Sequence, residues 1–238
     1  MRSHDLNLNR YNTDKIDSHY LDKYDPILQP WVDKNMTLLE LGIKNGGSLQ
    51  LWRDYFPRGN IVGIDRRLPV NFDDTDRITM YQGSQDDRDF LTQVAADTAT
   101  DGYDIIIDDA SHIGALSKIS FWHLFEDHLK PGGLYIIEDW GTGYWDDFPD
   151  GKSLDLDSYQ NPPLDKRSPW FKIAHKTKPE SATPLASHSY GMVGFLKQLI
   201  DEQAASDVTR LKNSGSPQRQ SKFKQMIIQP SIVFITKA

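Results

Sequence analysis

The chain has 238 residues, with 34 acidic and 27 basic side chains and a net charge of −7; 29 of the acids are Asp and five are Glu. At 38% hydrophobic and 26% charged residues it can bury a core, which excludes disorder as its main state. The absence of cysteine excludes disulfides, thiolate catalysis and iron–sulfur clusters, and no apolar run reaches the roughly 18 residues of a membrane span.

Met1–Asp5 has no apolar segment of signal-peptide type, so a cytoplasmic protein with no membrane partner is expected. The acidic balance argues against nucleic acid, whose phosphates require concentrated Lys and Arg. Asp favours caps, turns and strand ends, so many carboxylates are expected in loops.

In chain order, residues 1–35 read as a helical N-terminal cap to a single domain spanning 1–238. Strand-length apolar runs follow at Thr37–Ile43, Ile61–Asp65, Ile78–Gly83, Tyr103–Asp109 and Gly133–Asp139. Helical stretches lie between them: Ser48–Phe56, Asp86–Ala99, and an apolar face through Ile113, Leu116, Phe121, Leu124 and Phe125, ending at Lys130-Pro131-Gly132-Gly133. Alternation of continuous apolar strands with helices predicts a parallel sheet covered on both faces. Residues 140–186 are broken by six prolines and read as an acceptor loop or lid; a last helix is expected at His188–Glu202. Gln225–Gln229 and Ser231–Lys237 are too close for a helical crossover, which leaves an antiparallel pair or one bent strand. The fold class is therefore α/β, Rossmann-like: seven strands, mostly parallel, with the methyltransferase-type antiparallel strand pair at the C-terminus.

Polar motifs cluster where strands end, which is where ligands bind in such sheets. Gly42, Gly46 and Gly47 follow the first strand without the G-x-G-x-x-G spacing, and Asp65 ends the second, 23 residues after Gly42, placed to accept ribose hydroxyls. That half-site alone fits adenosylmethionine or NAD. The fourth and fifth strands end in Asp108-Asp109 and Glu138-Asp139. Four crowded carboxylates repel one another, and a hard divalent cation such as Mg²⁺ would relieve the repulsion. Alternatively, Asp109 caps the next helix and Glu138-Asp139 pair with nearby bases. His112, three residues past Asp109, suits a general base, since imidazole titrates near about pH 6.5.

Several blocks are recognisable together: Asn12-Thr13-Asp14-Lys15; Leu39-Glu40-Leu41-Gly42 with Gly46-Gly47-Ser48; Ile107-Asp108-Asp109-Ala110-Ser111-His112; and Gly132-Gly133-Leu134-Tyr135-Ile136-Ile137-Glu138-Asp139. Over roughly residues 10–148 and the final strand pair the chain resembles the macrocin/mycinamicin-type sugar O-methyltransferases of macrolide biosynthesis. Asn12 and Ala110 stand where that family usually has Gly, and the extra N-terminal domain of some members has no counterpart.

The resemblance implies a class I fold using S-adenosyl-L-methionine and Mg²⁺, with Thr13, Glu40, Gly42, Asn45, Ser48, Asp65, Gln85 and Asp108 around the cofactor. It further implies Asp109, Glu138 and Asp139 on the metal, and His112 as the base. In the loop, Trp140, Tyr144 and Trp145 read either as a stacking surface for the acceptor or as packing for the loop. Trp170-Phe171 and residues 187–194 are candidates for the rest of an acceptor pocket or for a homo-oligomer contact. The implied partner is a glycosylated or hydroxylated small molecule. Two other activities fit parts of the pattern: a catechol-type O-methyltransferase, and a nucleotide-binding protein without methyl transfer, such as a dehydrogenase.

Overall fold

The computed structural model describes residues 1–70, 72, 76–153, 188–210 and 215–238. Its strands are β1 (Met36–Leu41), β2 (Gly59–Asp65), β3 (Ile78–Gln82), β4 (Tyr103–Asp108), β5 (Leu129–Glu138), β6 (Phe223–Gln229) and β7 (Ile232–Lys237). They form one seven-stranded sheet in the order β3-β2-β1-β4-β5-β7-β6, parallel from β3 to β5. β7 pairs antiparallel with both β5 and β6. The last two runs are thus a hairpin rather than one bent strand, and Pro230 escapes the pairing by sitting in its turn.

The unbroken apolar strands arise because both faces of the sheet are covered. Alternate side chains go to opposite sides. Leu38, Ile61, Ile105, Ile107 and Ile136 join one buried cluster with Tyr24, Trp52, Tyr55 and Phe56. Leu39, Leu41, Val62, Ile64, Ile106 and Ile137 join the other with Phe121, Phe125, Phe195 and Leu199. The first face is covered by helices α1 (Asp14–Asp17), α2 (Tyr20–Leu28) and α3 (Gly47–Tyr55). α4 (Arg88–Thr98), α5 (Gly114–His123) and α6 (Gly191–Gln203) cover the second. The acid-rich opening expected for α4 is a true cap, since the Asp87 side chain accepts from the Phe90 amide.

One boundary differs from the sequence reading. β5 begins at Leu129, not Gly133: Leu129 pairs with Tyr103, the register then shifts, and Leu134 pairs with Ile105. Lys130-Pro131-Gly132-Gly133 is therefore a bulge within a strand. Its breaker residues are the same in either role, which is why composition could not separate the two. The N-terminal helices are pinned to α3 by polar contacts. Asp25 accepts from the Ser3 hydroxyl at 2.6 Å and from Tyr55 Oη at 2.7 Å, and Arg2 donates to the Asp54 carbonyl at 2.7 Å. Among the described residues no helix is long and apolar enough to cross a membrane.

Candidate active site

The strand order reverses between β1 and β4, and the crevice opens beyond their carboxyl ends. The Gly42 amide donates to the Ile64 carbonyl and the Asp109 amide to the Leu41 carbonyl, so the tips of β1, β2 and β4 are fastened together. Gly42 has φ +84°, and a Cβ there would lie 2.2 Å from the Asp109 carbonyl oxygen. Only glycine fits where two strand ends meet this closely.

Two adjoining cavities share Gly42, Asp65 and Ala110. The larger, of about 360 Å³, is lined among others by Thr13, Asn45, Ser48, Asp109, His112 and Asp139. The smaller, of about 200 Å³, runs over Ser84, Gln85 and Ser111. Thr13, Gly42, Asn45, Ser48, Asp65 and Gln85 are thus brought to the crevice as the sequence reading expected. The cradle fits an elongated nucleoside: a Cβ-free backbone at the bend, with polar side chains at either end.

Asp65 is only partly available to a ligand. Its Oδ2 accepts from the amides of Ile43 and Lys44 at 2.9 and 3.0 Å, and its Oδ1 from the Arg67 amide at 3.0 Å. A carboxylate offers about four lone-pair sites, so the acid that shapes the loop after β1 keeps about one for a ribose hydroxyl. Glu40 and Asp108 line neither cavity. Glu40 lies beneath the loop, accepting from Ser48 Oγ at 2.7 Å and Trp52 Nε1 at 3.3 Å. Asp108 accepts from Gln85 Nε2 at 3.2 Å and Ser120 Oγ at 3.3 Å. Both are buried and reach the crevice through the residue above. Burial raises the pKa of each, against the pull of these hydrogen bonds and, for Glu40, against the stronger pull of Lys15.

The carboxylates at the β4 and β5 ends separate into two sets that share Asp109. On the open side, His112 Nε2 lies 3.9 Å from Asp109 Oδ1 and 3.8 Å from Asp139 Oδ2, and one ligand atom from each of the three lies within 4.8 Å of the others. His112 and Asp139 both have φ +54°, a conformation that L residues hold only where the surroundings enforce it. Tyr20 Oη donates to Asp139 Oδ1.

On the sealed side, Lys15 Nζ donates to Asp109 Oδ2 at 2.6 Å and Glu138 Oε1 at 2.8 Å, with Glu40 Oε1 at 3.3 Å. Tyr24 Oη donates to the same Glu138 oxygen. Burial works against the charge on Lys15, but the three acids outweigh it and hold its pKa well above the ordinary lysine value. One ammonium cannot neutralise three acids, two of them fully buried. Burial, and then the neighbouring Asp109, push the Glu138 carboxyl well above the usual range.

The alternative account of these acids is met for Glu138, which with Asp109 pairs with a base. Asp109 does not cap α5, whose N-cap is Ile113 without a side-chain hydrogen bond, and Asp109 and Asp139 face an open cleft. Sequence reasoning missed that base, although Lys15 stands inside the quoted Thr13-Asp14-Lys15 block. The signal was there, because acids crowded at strand ends need a cation and an ammonium is one.

The three loop aromatics diverge. Trp140–Tyr144 is a 3₁₀ helix, and Trp140 Nε1 donates to the Gln229 carbonyl while its ring packs against the core. Tyr144 meets the His188 ring edge-on at 5.1 Å. Trp145 is 50% exposed and edge-on to Phe148 at 5.8 Å, and Phe148 in turn meets the His112 ring at 6.0 Å. Phe148, unflagged in the sequence, is in ring contact with the candidate base. Residues 154–187, including Trp170-Phe171 and most of the acceptor loop, lie outside the described residues.

No family model matches the chain. It is 40% identical over 132 residues to mycinamicin VI 2''-O-methyltransferase of Micromonospora griseorubida, covering 52% of this chain and 32% of that protein. It is 39% identical over 155 residues to demethylmacrocin O-methyltransferase of Streptomyces fradiae, covering 60% of this chain and 38% of that one. Among solved structures, the mycinamycin-pathway methyltransferase MycE in complex with Mg and SAH superposes with TM-score 0.66 at 29% identity, over 91% of this chain and 49% of that one.

The chain is similar to these methyltransferases over part of their length. The same MycE enzyme with Mg, SAH and mycinamycin VI superposes with TM-score 0.65. The chain spans between about a third and a half of the length of these relatives. The likeness covers 91% of this chain, and the mostly parallel seven-stranded sheet with a C-terminal antiparallel pair expected from the sequence is the one observed.

Proposed function

We propose that the chain is one methyltransferase domain that transfers a methyl group from S-adenosyl-L-methionine to a hydroxyl of a sugar on a natural product, with Mg²⁺ as cofactor. The observation that carries this reading is the juxtaposition at the switch point. A glycine-cradled nucleoside crevice opens directly onto Asp109, His112 and Asp139, the side chains suited to an acceptor hydroxyl and a cation. Names among the relatives point to rhamnosyl and olivosyl acceptors and to Mg with SAH.

Asp109, Glu138 and Asp139 would hold the cation, an all-oxygen set that suits a hard metal, although Glu138 lines neither cavity and its Oε1 is taken by Lys15 and Tyr24. When bound, Mg²⁺ lowers the pKa of an acceptor hydroxyl and fixes its approach. Thr13, Asn45, Ser48 and Gln85 would orient the cofactor so that methyl transfer is an in-line displacement, with much of the catalysis lying in that positioning. His112 Nε2 would take the hydroxyl proton as the oxygen attacks, with the carboxylates of Asp109 and Asp139 stabilising the charge it gains. Trp145 and Phe148 would border the acceptor. A cytoplasmic location and a homo-oligomer are part of the same reading.

The test is calorimetry with adenosylhomocysteine and with NAD, followed by methyl transfer to glycosylated acceptors and to catechols, with Mg²⁺ and after exhaustive EDTA. Binding of adenosylhomocysteine and EDTA-sensitive transfer to a sugar hydroxyl are expected. Preference for NAD, or turnover that survives EDTA, would overturn the reading; transfer to catechols alone would move the acceptor class.

A further inference from the structure

Lys15 is 1% exposed, and so are its partners to a similar degree: Glu40 at 0% and Glu138 at 1%, with Asp109 at 17%. Buried lysines without a role are rare, because removing an ammonium from water is costly unless its partners repay it. Here the partners over-repay it, three acids to one base. The arrangement at Asp109 is two-sided. Oδ2 is held by Lys15 from within, while Oδ1 faces His112 and the cleft. The ammonium arrives from α1, whose capping residue Thr13 lines the cofactor cavity together with Asn12 and Asp14. One short segment thus supplies both the roof of the crevice and a fixed positive charge behind the carboxylates.

We propose that Lys15 is a built-in counter-cation that competes with the divalent ion for Asp109 and Glu138, and so keeps that ion weakly held and exchangeable. This rests on the reading of Asp109, Glu138 and Asp139 as the cation site. Two like charges sharing a carboxylate repel, and in a poorly solvated site that repulsion is only slightly screened. An ammonium that occupies Oδ2 of Asp109 and Oε1 of Glu138 also withholds those lone pairs from a second cation. Lys15 does not touch the cavity, so it acts through Asp109 and Glu138 as a positioning residue.

A purely structural Lys15, one that only anchors α1, leads to the opposite expectation. Its removal would loosen Asp109 and weaken or leave unchanged the binding of any cation. The direction of the change therefore decides.

The experiment is titration of the full chain with Mn²⁺, read by the electron paramagnetic resonance of free Mn²⁺, for wild type and K15M. Methionine keeps the length and apolar stem of lysine and removes its charge. Circular dichroism melts and adenosylhomocysteine binding report that the variant is folded. K15M is expected to bind Mn²⁺ at least tenfold more tightly than wild type. Equal or weaker binding by folded K15M overturns the proposal while leaving the cation site intact. Binding by neither protein overturns both the proposal and the site. If K15M does not fold, the charge-balanced K15M/E40Q carries the same test, because Glu40 lies outside the cavity; binding no tighter than in E40Q alone, or failure of this variant also to fold, counts against an exchange role and for a structural one.

Discussion

The two carboxylate sets joined at Asp109 have similar chemistry and opposite surroundings. Glu40, Asp109 and Glu138 enclose an ammonium and are closed over by Tyr24, Ser48 and Trp52. Asp109 and Asp139, with His112, face a cavity and have strained backbone on two of the three residues. The sealed set has its cation supplied by the chain; the open set can accept one from solvent. An acid's role at a strand end is thus decided by what covers it, not by its position in the motif.

The sharpest way to break this contrast is on the open side. H112A is expected to cut turnover by about 10²-fold or more and leave adenosylhomocysteine affinity within about twofold, measured by steady-state kinetics and calorimetry. Retention of over half the activity would remove His112 from the chemistry. Next comes Gly42, whose backbone is the contact between the cofactor loop and the Asp109 carbonyl. In G42A the left-handed φ alone costs about 1–2 kcal/mol, and the clash must push Asp109 away. We expect adenosylhomocysteine affinity to fall at least tenfold, with a lower melting temperature; unchanged affinity would mean that the strand tips can separate without harm.

The same contrast recurs one layer out, in two tryptophans five residues apart. W140A should cost about 3 kcal/mol of stability, through lost packing and an unpaired Gln229 carbonyl. W145A should change stability by less than about 0.5 kcal/mol and raise the KM for the acceptor. Equal destabilisation by the two would erase the distinction between a sealed and an open face of this segment.

The smallest effect belongs to a third acid, remote from both sets. Glu202 accepts from the Arg219 guanidinium at 2.7 Å and the Lys222 amide at 2.9 Å. Burial would raise its pKa, but these donors outweigh burial and hold it below the ordinary value of 4.5. A carboxyl depressed in the folded state stabilises the fold above its unfolded pKa, and that contribution fades as pH falls through the folded value. The melting temperature of E202Q should therefore fall short of wild type at pH 7 and converge with it in acid below 4.5. A gap that persists there would mean that shape rather than charge holds this contact.

Much of this was legible from residues alone. The strands and the C-terminal pair follow from apolar runs and their spacing, and Gly42, Gln85, Asp109, His112 and Asp139 stand where a parallel sheet gathers its strand ends. The base at the centre was not. Lys15 meets partners 94 and 123 residues away, and lysine is a residue expected in solvent. Nor could the sequence tell that Asp65 spends three contacts on backbone amides, since those donors carry no residue signature.

The β6–β7 hairpin bears on how the molecule is made. Its turn accepts from Lys23 through the Pro230 carbonyl at 2.7 Å and from Trp140 through the Gln229 carbonyl at 3.0 Å, so it ties the N-terminal helices to the wall beside the base. β7 lies between β5 and β6 yet follows both in the chain. Until it emerges, β5 is an open sheet edge able to pair with a neighbouring nascent chain. The wall beside the base is complete only once β7 has inserted against β5.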